Sequence, residues 1–282
     1  MQLANTFRCP RCKSGTLDIQ SDCVDDELLP ARGAAICDDC RASFPISNSI
    51  LDLSGGTKPI LTLAGWSNHL PAAPQIYENV WRPHALTLLT GQPFPPAREM
   101  ALLNEWAQVQ PDDLVVDLGA STGNYARGLA RATRDWGKRA PTIIAIDLAR
   151  GMLSAAHSYA VREGIRNIAH VLAPVEQLPF KDGSLNVLVS GGSLNEFHSM
   201  KDALCEAYRV CAPAGRLVTM SLLAGSTLAG RLAQASARLS GITFPSLPAF
   251  NGMSRAVGWE CAAQQVSGVV AFSLFVKTSN QK

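Results

Sequence analysis

The stretch Leu114-Val115-Val116-Asp117-Leu118-Gly119-Ala120-Ser121-Thr122-Gly123 decides the fold. Leu114 to Asp117 reads as a buried strand, a short apolar run with no polar alternation. The small residues that follow, Gly119 to Gly123, end the strand and open a helix, Tyr125 to Trp136, at a point where backbone must approach a ligand closely. Outward from there the pattern repeats. Thr142 to Asp147, Ile168 to Leu172, Leu185 to Ser190 and Arg216 to Met220 read as strands, with helices at Gly151 to Arg162 and Lys201 to Cys211. Trp259 to Lys277 reads as a terminal hairpin turning near Gly268. Strands alternating with helices predict a parallel sheet covered on both faces, with ligands outside the carboxyl ends of its strands.

A dinucleotide site is disfavoured by spacing. That fingerprint needs G-x-G-x-x-G with an acid about 20 residues on. Here the glycines are 119 and 123, position 124 is Asn, and Asp147 follows Gly119 by 28 residues.

The turn resembles motif I of the class I S-adenosylmethionine-dependent methyltransferases (type 11-like), D/E-x-G-x-G-x-G, with Ser121 in place of the middle glycine. Three later stretches carry the same resemblance in order. Pro174 to Leu185 is similar to G-D-A-E-x-L-P-F-x-D-x-S-F-D, Ser190 to Phe197 occupies the fourth-strand position, and Tyr208 to Leu217 is similar to R-V-L-K-P-G-G-R-L. The resemblance implies a doubly wound, mostly parallel seven-stranded sheet over residues 101–282, with S-adenosyl-L-methionine as cofactor. It implies that Asp117, Gly119, Ser121 and Gly123 hold the methionine end, that Asp147 takes the ribose hydroxyls, and that Leu148 and Met152 flank adenine. Pro174 replaces the acid that often bonds adenine, so adenine would be read through backbone near Val175, beside Glu176. Ser190 joins the expected cofactor contacts. Each residue also has a plainer reading: a strand-ending Asp can cap the next helix, and a helical Met is often core.

Of 282 residues, 47% are hydrophobic and 17% charged, which excludes a disordered chain, and the net charge of +2 does not by itself suggest a nucleic-acid binder. Five of the eight cysteines lie in the first forty residues. Cys9-Pro-Arg-Cys12 and Cys37-Asp-Asp-Cys40 are two C-x-x-C knuckles 24 residues apart, a spacing that presents four thiolates to Zn²⁺, whereas a redox dithiol normally occurs once. Four thiolates close the site, which predicts a structural and not a catalytic metal, with Cys23 a bystander. The knuckles and the following Phe44 to Leu53 resemble the zinc-binding domain of the activator subunit shared by tRNA and protein methyltransferases, so residues 1–56 are expected to be a zinc-binding domain. Five basic against eight acidic residues there leave −3, the wrong sign for tracking phosphates.

Residues 57–100 read as a linker with pre-domain helices around Ile76 to Trp81 and His84 to Thr90. Tyr77 to Pro83 resembles a family segment that sits near the cofactor; the alternative is that Tyr77 and Trp81 only pack. Arg127, Arg131, Arg134 and Lys138 form a basic stripe read as a solvated face. Glu196 and His198, beyond the fourth strand, are the candidate general bases. Leu222 to Leu239 reads as a small-residue helix, and the uncharged run from Leu239 to Ser254 predicts an apolar or aromatic small-molecule acceptor. The alternatives are an rRNA or tRNA base methyltransferase and a non-catalytic cofactor-binding scaffold. A cytoplasmic setting and a homodimer are further expectations. No membrane span is expected, because the apolar run Leu217 to Gly230 has only 14 residues.

Overall fold

The computed structural model describes residues 3–21, 28–56, 68, 70–225, 234–235, 237–239 and 241–278. Cys23 and half of the helix expected over Leu222 to Leu239 lie outside these residues. Among the described residues eleven strands form one sheet: β1 Leu17–Gln20, β2 Arg32–Cys37, β3 Ser43–Ser47, β4 Ile50–Asp52, β5 Leu114–Leu118, β6 Thr142–Asp147, β7 Ile168–Leu172, β8 Leu185–Gly191, β9 Cys211–Leu222, β10 Trp259–Ser267 and β11 Val270–Lys277. Their order is β1-β2-β3-β4-β7-β6-β5-β8-β9-β11-β10.

This corrects the expected sheet. The seven strands β5 to β11 are present, but β4 pairs in parallel with β7, from Ile50 opposite His170 to Asp52 opposite Leu172. The N-terminal strands thereby extend the sheet, and five of its ten pairings are antiparallel, so it is mixed.

Among the described residues seven helices pack around it: α1 Ala73–Ile76, α2 Arg82–Thr90, α3 Pro96–Ala107, α4 Asn124–Ala132, α5 Arg150–Arg162, α6 Met200–Val210 and α7 Leu247–Val257. Alternation along each strand divides the core. Val115, Ile143 and Ala145 face Leu103, Leu129 and Leu153 on α3, α4 and α5. Val116, Leu118, Ile144 and Ile146 belong to the other layer, which holds Leu204 on α6 and Phe250 on α7 and runs on into Phe7 and into Leu17, Phe44 and Ile46 of the N-terminal strands. Phe7 is fully buried and stacks on Phe180 at 5.4 Å between ring centroids. Burying such a ring contributes about 1.5–3 kcal/mol.

Two elements differ from expectation for local reasons. The helix expected to reach Trp136 ends at Ala132, and a 3-10 turn follows in which Gly137 takes φ 59° and ψ −127°. The short helices around Tyr77 join: between α1 and α2, Tyr77–Trp81 forms one π-helical turn. Among the described residues no helix is long and apolar enough to cross a membrane.

Candidate functional site

A cavity of about 560 Å³ opens where β5, β6, β7 and β8 end, bounded by the β5–α4 turn on one side and by the helical run from Tyr77 to Leu89 on another. The turn needs its glycine. Gly119 has φ +65°, and a Cβ there would meet the Ser193 Cβ at 2.4 Å and the Phe197 ring at 2.9 Å. Ser121 is also left-handed, at φ 52°, a conformation that favours glycine. Its N–H donates to Asp147 Oδ2 at 2.8 Å, and the Ala149 N–H donates to Oδ1 at 2.8 Å. Both oxygens of Asp147 are therefore braced by backbone on the cavity wall. The bond to Ala149 precedes α5, whose N-cap is that same alanine and carries no side-chain cap.

Of the residues singled out from sequence, Gly119, Ser121, Asp147, Leu148, Met152, Val175, Glu176, Glu196 and His198 come together around this cavity. Met152 is 98% buried as well, so it serves core and wall together. Asp117, Gly123 and Ser190 are not on the wall. Asp117 turns beneath the turn and accepts the Ala126 N–H at 3.0 Å; burial pushes its carboxyl up to about 7. Gly123, at φ +76°, opens α4 against Ala156. Ser190 donates to the Leu118 carbonyl at 3.1 Å, joining β8 to β5.

Glu176 accepts the N–H of His198 at 2.9 Å, holding the loop beyond β8 against the Val175–Gln177 turn. Glu196 is open to the cavity but ringed by protein; that enclosure, then the neighbouring Asp147 charge, raises its carboxyl above the ordinary range. Asn68 Nδ2 donates to it at 3.5 Å. His198 lies exposed at the rim.

The segment Tyr77 to Pro83, expected near the cofactor, and the helix that follows it do reach the cavity, while the contacts of Glu78 and Asn195 escaped the sequence reading. A π turn shifts the register of a helix, and here it brings Tyr77, Trp81, Arg82, Ala85 and Leu89 to the cavity. Burial pushes the Tyr77 hydroxyl up to about 12, so it stays neutral. Glu78 accepts from Thr122 Oγ1 at 2.7 Å and Asn124 Nδ2 at 3.0 Å and pairs with Arg127 at 2.5 Å. Asn195 bonds the N–H and carbonyl of Leu222 at 2.8 Å and the Thr243 carbonyl at 2.6 Å, closing the far wall. The basic stripe is largely consumed: Arg127 and Arg131 pair with the Glu163 carboxylate and Arg134 donates to its carbonyl, so phosphate contact there is disfavoured.

Outside the cavity, the Sγ atoms of Cys9, Cys12, Cys37 and Cys40 lie within 4.8 Å of one another. Cys9–Cys40 and Cys12–Cys37 are 3.7 and 3.6 Å apart. The two knuckles share a geometry: Lys13 and Arg41, each following the second cysteine, both have φ 59°. The Cys40 N–H donates to Cys37 Sγ at 3.4 Å and the Gly15 N–H to Cys12 Sγ at 3.5 Å.

Residues 116–219 match a family model described as a methyltransferase domain. A ubiquinone/menaquinone biosynthesis C-methyltransferase of Legionella pneumophila (strain Lens) is 31% identical over 117 residues, 41% of this chain and 45% of that protein. The chain thus matches about half the length of that relative. An uncharacterized chloroplastic methyltransferase of Arabidopsis thaliana is 25% identical over 230 residues, 77% of this chain and 62% of that protein. Among solved structures, a Haemonchus contortus phosphoethanolamine N-methyltransferase 2 in complex with S-adenosylhomocysteine aligns with a TM-score of 0.62 at 11% identity, covering 83% of this chain and 62% of that one, a likeness of fold. Over residues 116–219 the chain is thus similar to methyltransferase domains.

Proposed function

We propose that the chain transfers a methyl group from S-adenosylmethionine to a small, largely apolar or aromatic acceptor. The observation that carries this is the cavity itself, whose size lies within the roughly 300–1,000 Å³ of small-molecule sites. One side presents Asp147, Leu148, Met152 and the Val175 turn; the other presents Trp81, Ala85, Leu89, Met220, Leu222 and Ile242. The quinone biosynthesis named for the Legionella relative is of a kind with such an acceptor.

When bound, the cofactor supplies an already activated methyl group. In this reading Asp147, whose two oxygens are oriented by the Ser121 and Ala149 N–H groups, accepts the ribose hydroxyls, with Leu148 and Met152 flanking adenine and Val175 presenting backbone. Gly119 allows close approach of the methionine end. Asp117, Gly123 and Ser190 support the turn from behind. The run from Tyr77 to Leu89 excludes water and orients the acceptor, which is the protein's main contribution to an in-line displacement. Glu196 holds the acceptor's proton where one must leave, and its raised carboxyl suits that task near neutral pH. His198 is the alternative base.

We also read residues 1–56 as the zinc-binding part of the chain, residues 57–100 as the connecting segment and 101–282 as the methyltransferase domain. A tetrahedron with Zn–S bonds of about 2.3 Å has S···S edges of about 3.8 Å, which the Cys9–Cys40 and Cys12–Cys37 separations approach. Such a metal would be structural.

Radiolabelled S-adenosylmethionine offered with a metabolite extract and total RNA in parallel tests the reading. Label in the organic-soluble fraction is expected. Label in RNA would replace the acceptor class, and absence of both transfer and cofactor binding would overturn the proposal.

A further inference from the structure

Glu196 is carried into the cavity by a short, tightly held loop. Gly192, at φ +98°, follows β8 and opens the 3-10 turn Ser193–Asn195. The Glu196 N–H donates to the Ser193 carbonyl at 2.9 Å, and the fully buried Asn195 is bound to Leu222 and Thr243. Among the described residues that line the cavity the acids are Asp147, Glu176, Glu196 and Asp202, against a single Lys or Arg, Arg82. That cation is already matched, because its Nη1 pairs with Glu99 Oε2 at 2.7 Å. Asp147 and Glu176 accept backbone N–H groups, while Asp202 and His198 are exposed to solvent. Glu196 differs. Asn68 Nδ2 donates to it at 3.5 Å, and the one charge among the described residues that acts on it is that of Asp147, another acid.

A carboxylate ringed by protein with a like charge nearby is destabilised until a cation joins it. No described side chain of the wall supplies that cation, which leaves the part to a ligand. A carboxylate or phosphate on the acceptor would instead meet four acids and no unmatched Lys or Arg. Tyr77, Trp81 and Phe197 line the same cavity, and Tyr77 is close enough for the Glu196 charge to act on its hydroxyl. Aromatic faces attract an ammonium where they repel an anion. Resting on the methyl-transfer reading above, which it sharpens, we propose that Glu196 is the recognition group for a protonated amine on the acceptor, so that the substrate class is a small, largely apolar or aromatic amine. The cofactor does not fill this place. Its ammonium shares a carbon with a carboxylate that offsets the charge, and its sulfonium has no N–H to donate. An amine on the acceptor both neutralises the carboxylate and hydrogen-bonds to it.

Calorimetry on protein loaded with S-adenosylhomocysteine tests this without turnover. The ammonium and carboxylate of that nucleoside cancel, so the charge of Glu196 is left for the probe. Three probes share a phenyl ring on a two-carbon linker: 2-phenylethylamine, 2-phenylethanol and 3-phenylpropanoate. The amine is expected to bind about 10- to 100-fold more tightly than the alcohol, the worth of a charge-assisted hydrogen bond, and the carboxylate most weakly. Glu196→Gln is expected to bring the amine to within about threefold of the alcohol while the alcohol itself is unchanged. Glu196→Asp, which retains the charge at shorter reach, should keep the order in smaller measure and serves where the Gln variant does not fold. An alcohol bound as tightly as the amine, a carboxylate bound most tightly, an order that survives Glu196→Gln, or no binding of any probe to the loaded protein would overturn the proposal. Wild-type protein that does not take up S-adenosylhomocysteine would instead overturn the cofactor reading from which the proposal starts.

Discussion

Glu78 and Thr122 are joined by a 2.7 Å hydrogen bond across 44 positions of the chain. It fastens the π turn to the opening of α4, so the helix that walls the cavity is tied to the turn beneath the expected cofactor. Asn124 and Arg127 share the same carboxylate. Glu78→Ala removes all three partners at once. Arg127 retains Glu163, so the expected cost is below the roughly 3–5 kcal/mol of a broken buried pair, at about 1–3 kcal/mol. Chemical denaturation measures it, and Trp81 fluorescence should report a more solvated indole before global unfolding. An unchanged emission spectrum would count against the fastening role.

The thiolate cluster leads to a metal prediction. Atomic absorption should find about one zinc per chain, and Cys37→Ser or strong chelation should destabilise the protein. Because β4 is paired into the sheet beside β7, the loss should appear in the melting of the whole domain and not as a separate low-temperature step. Several kcal/mol of metal-linked folding energy corresponds to a drop of roughly 10 °C.

Stability should depend on pH through His170. It is buried in β7 against the edge of His157, and burial lowers its pKa from 6.5 to about 3. Between those values the unfolded chain binds the proton and the folded one does not, so stability falls as pH falls below 6.5. From pH 6.5 to 5 the loss is roughly 2 kcal/mol. His170→Phe should flatten that part of the profile, read by denaturant titrations at a series of pH values.

Turnover should carry the signature of Glu196. Its raised carboxyl must lose a proton to act as base, so kcat is expected to rise with pH through a value above the ordinary carboxylate range. Glu196→Gln should abolish that rising limb and lower kcat about 10²- to 10⁴-fold with little change in cofactor affinity. A retained limb would transfer the role elsewhere, with His198 next.

The alternation from Leu114 to Met220 is legible because its strands are mainly apolar runs, which have few other readings inside a sheet covered on both faces. Residues that follow a strand end, such as Asp147 and Leu148, are carried to the ligand side by topology. Asp117 and Ser190 give the same signal yet turn inward, because which way a strand-end side chain points depends on neighbours such as the Ala126 N–H that no local pattern announces. The β4–β7 pairing joins residues more than a hundred positions apart, and nothing in Ile50 to Asp52 names its partner. The segment holding Glu78 and Arg82 was expected near the cofactor, but their partners Thr122 and Glu99 were not legible, for a related reason. Their roles come from one π turn and from charge partners that are distant in the chain.

That β4–β7 ladder also bears on how the chain can be divided. A version beginning after Leu53 would leave the outer backbone of β7 without partners and strip Phe7 from Phe180. Bare strand rims of this kind recruit other chains, so the shortened protein is expected to clump, whereas the N-terminal strands act in the intact chain as a built-in guard against that association.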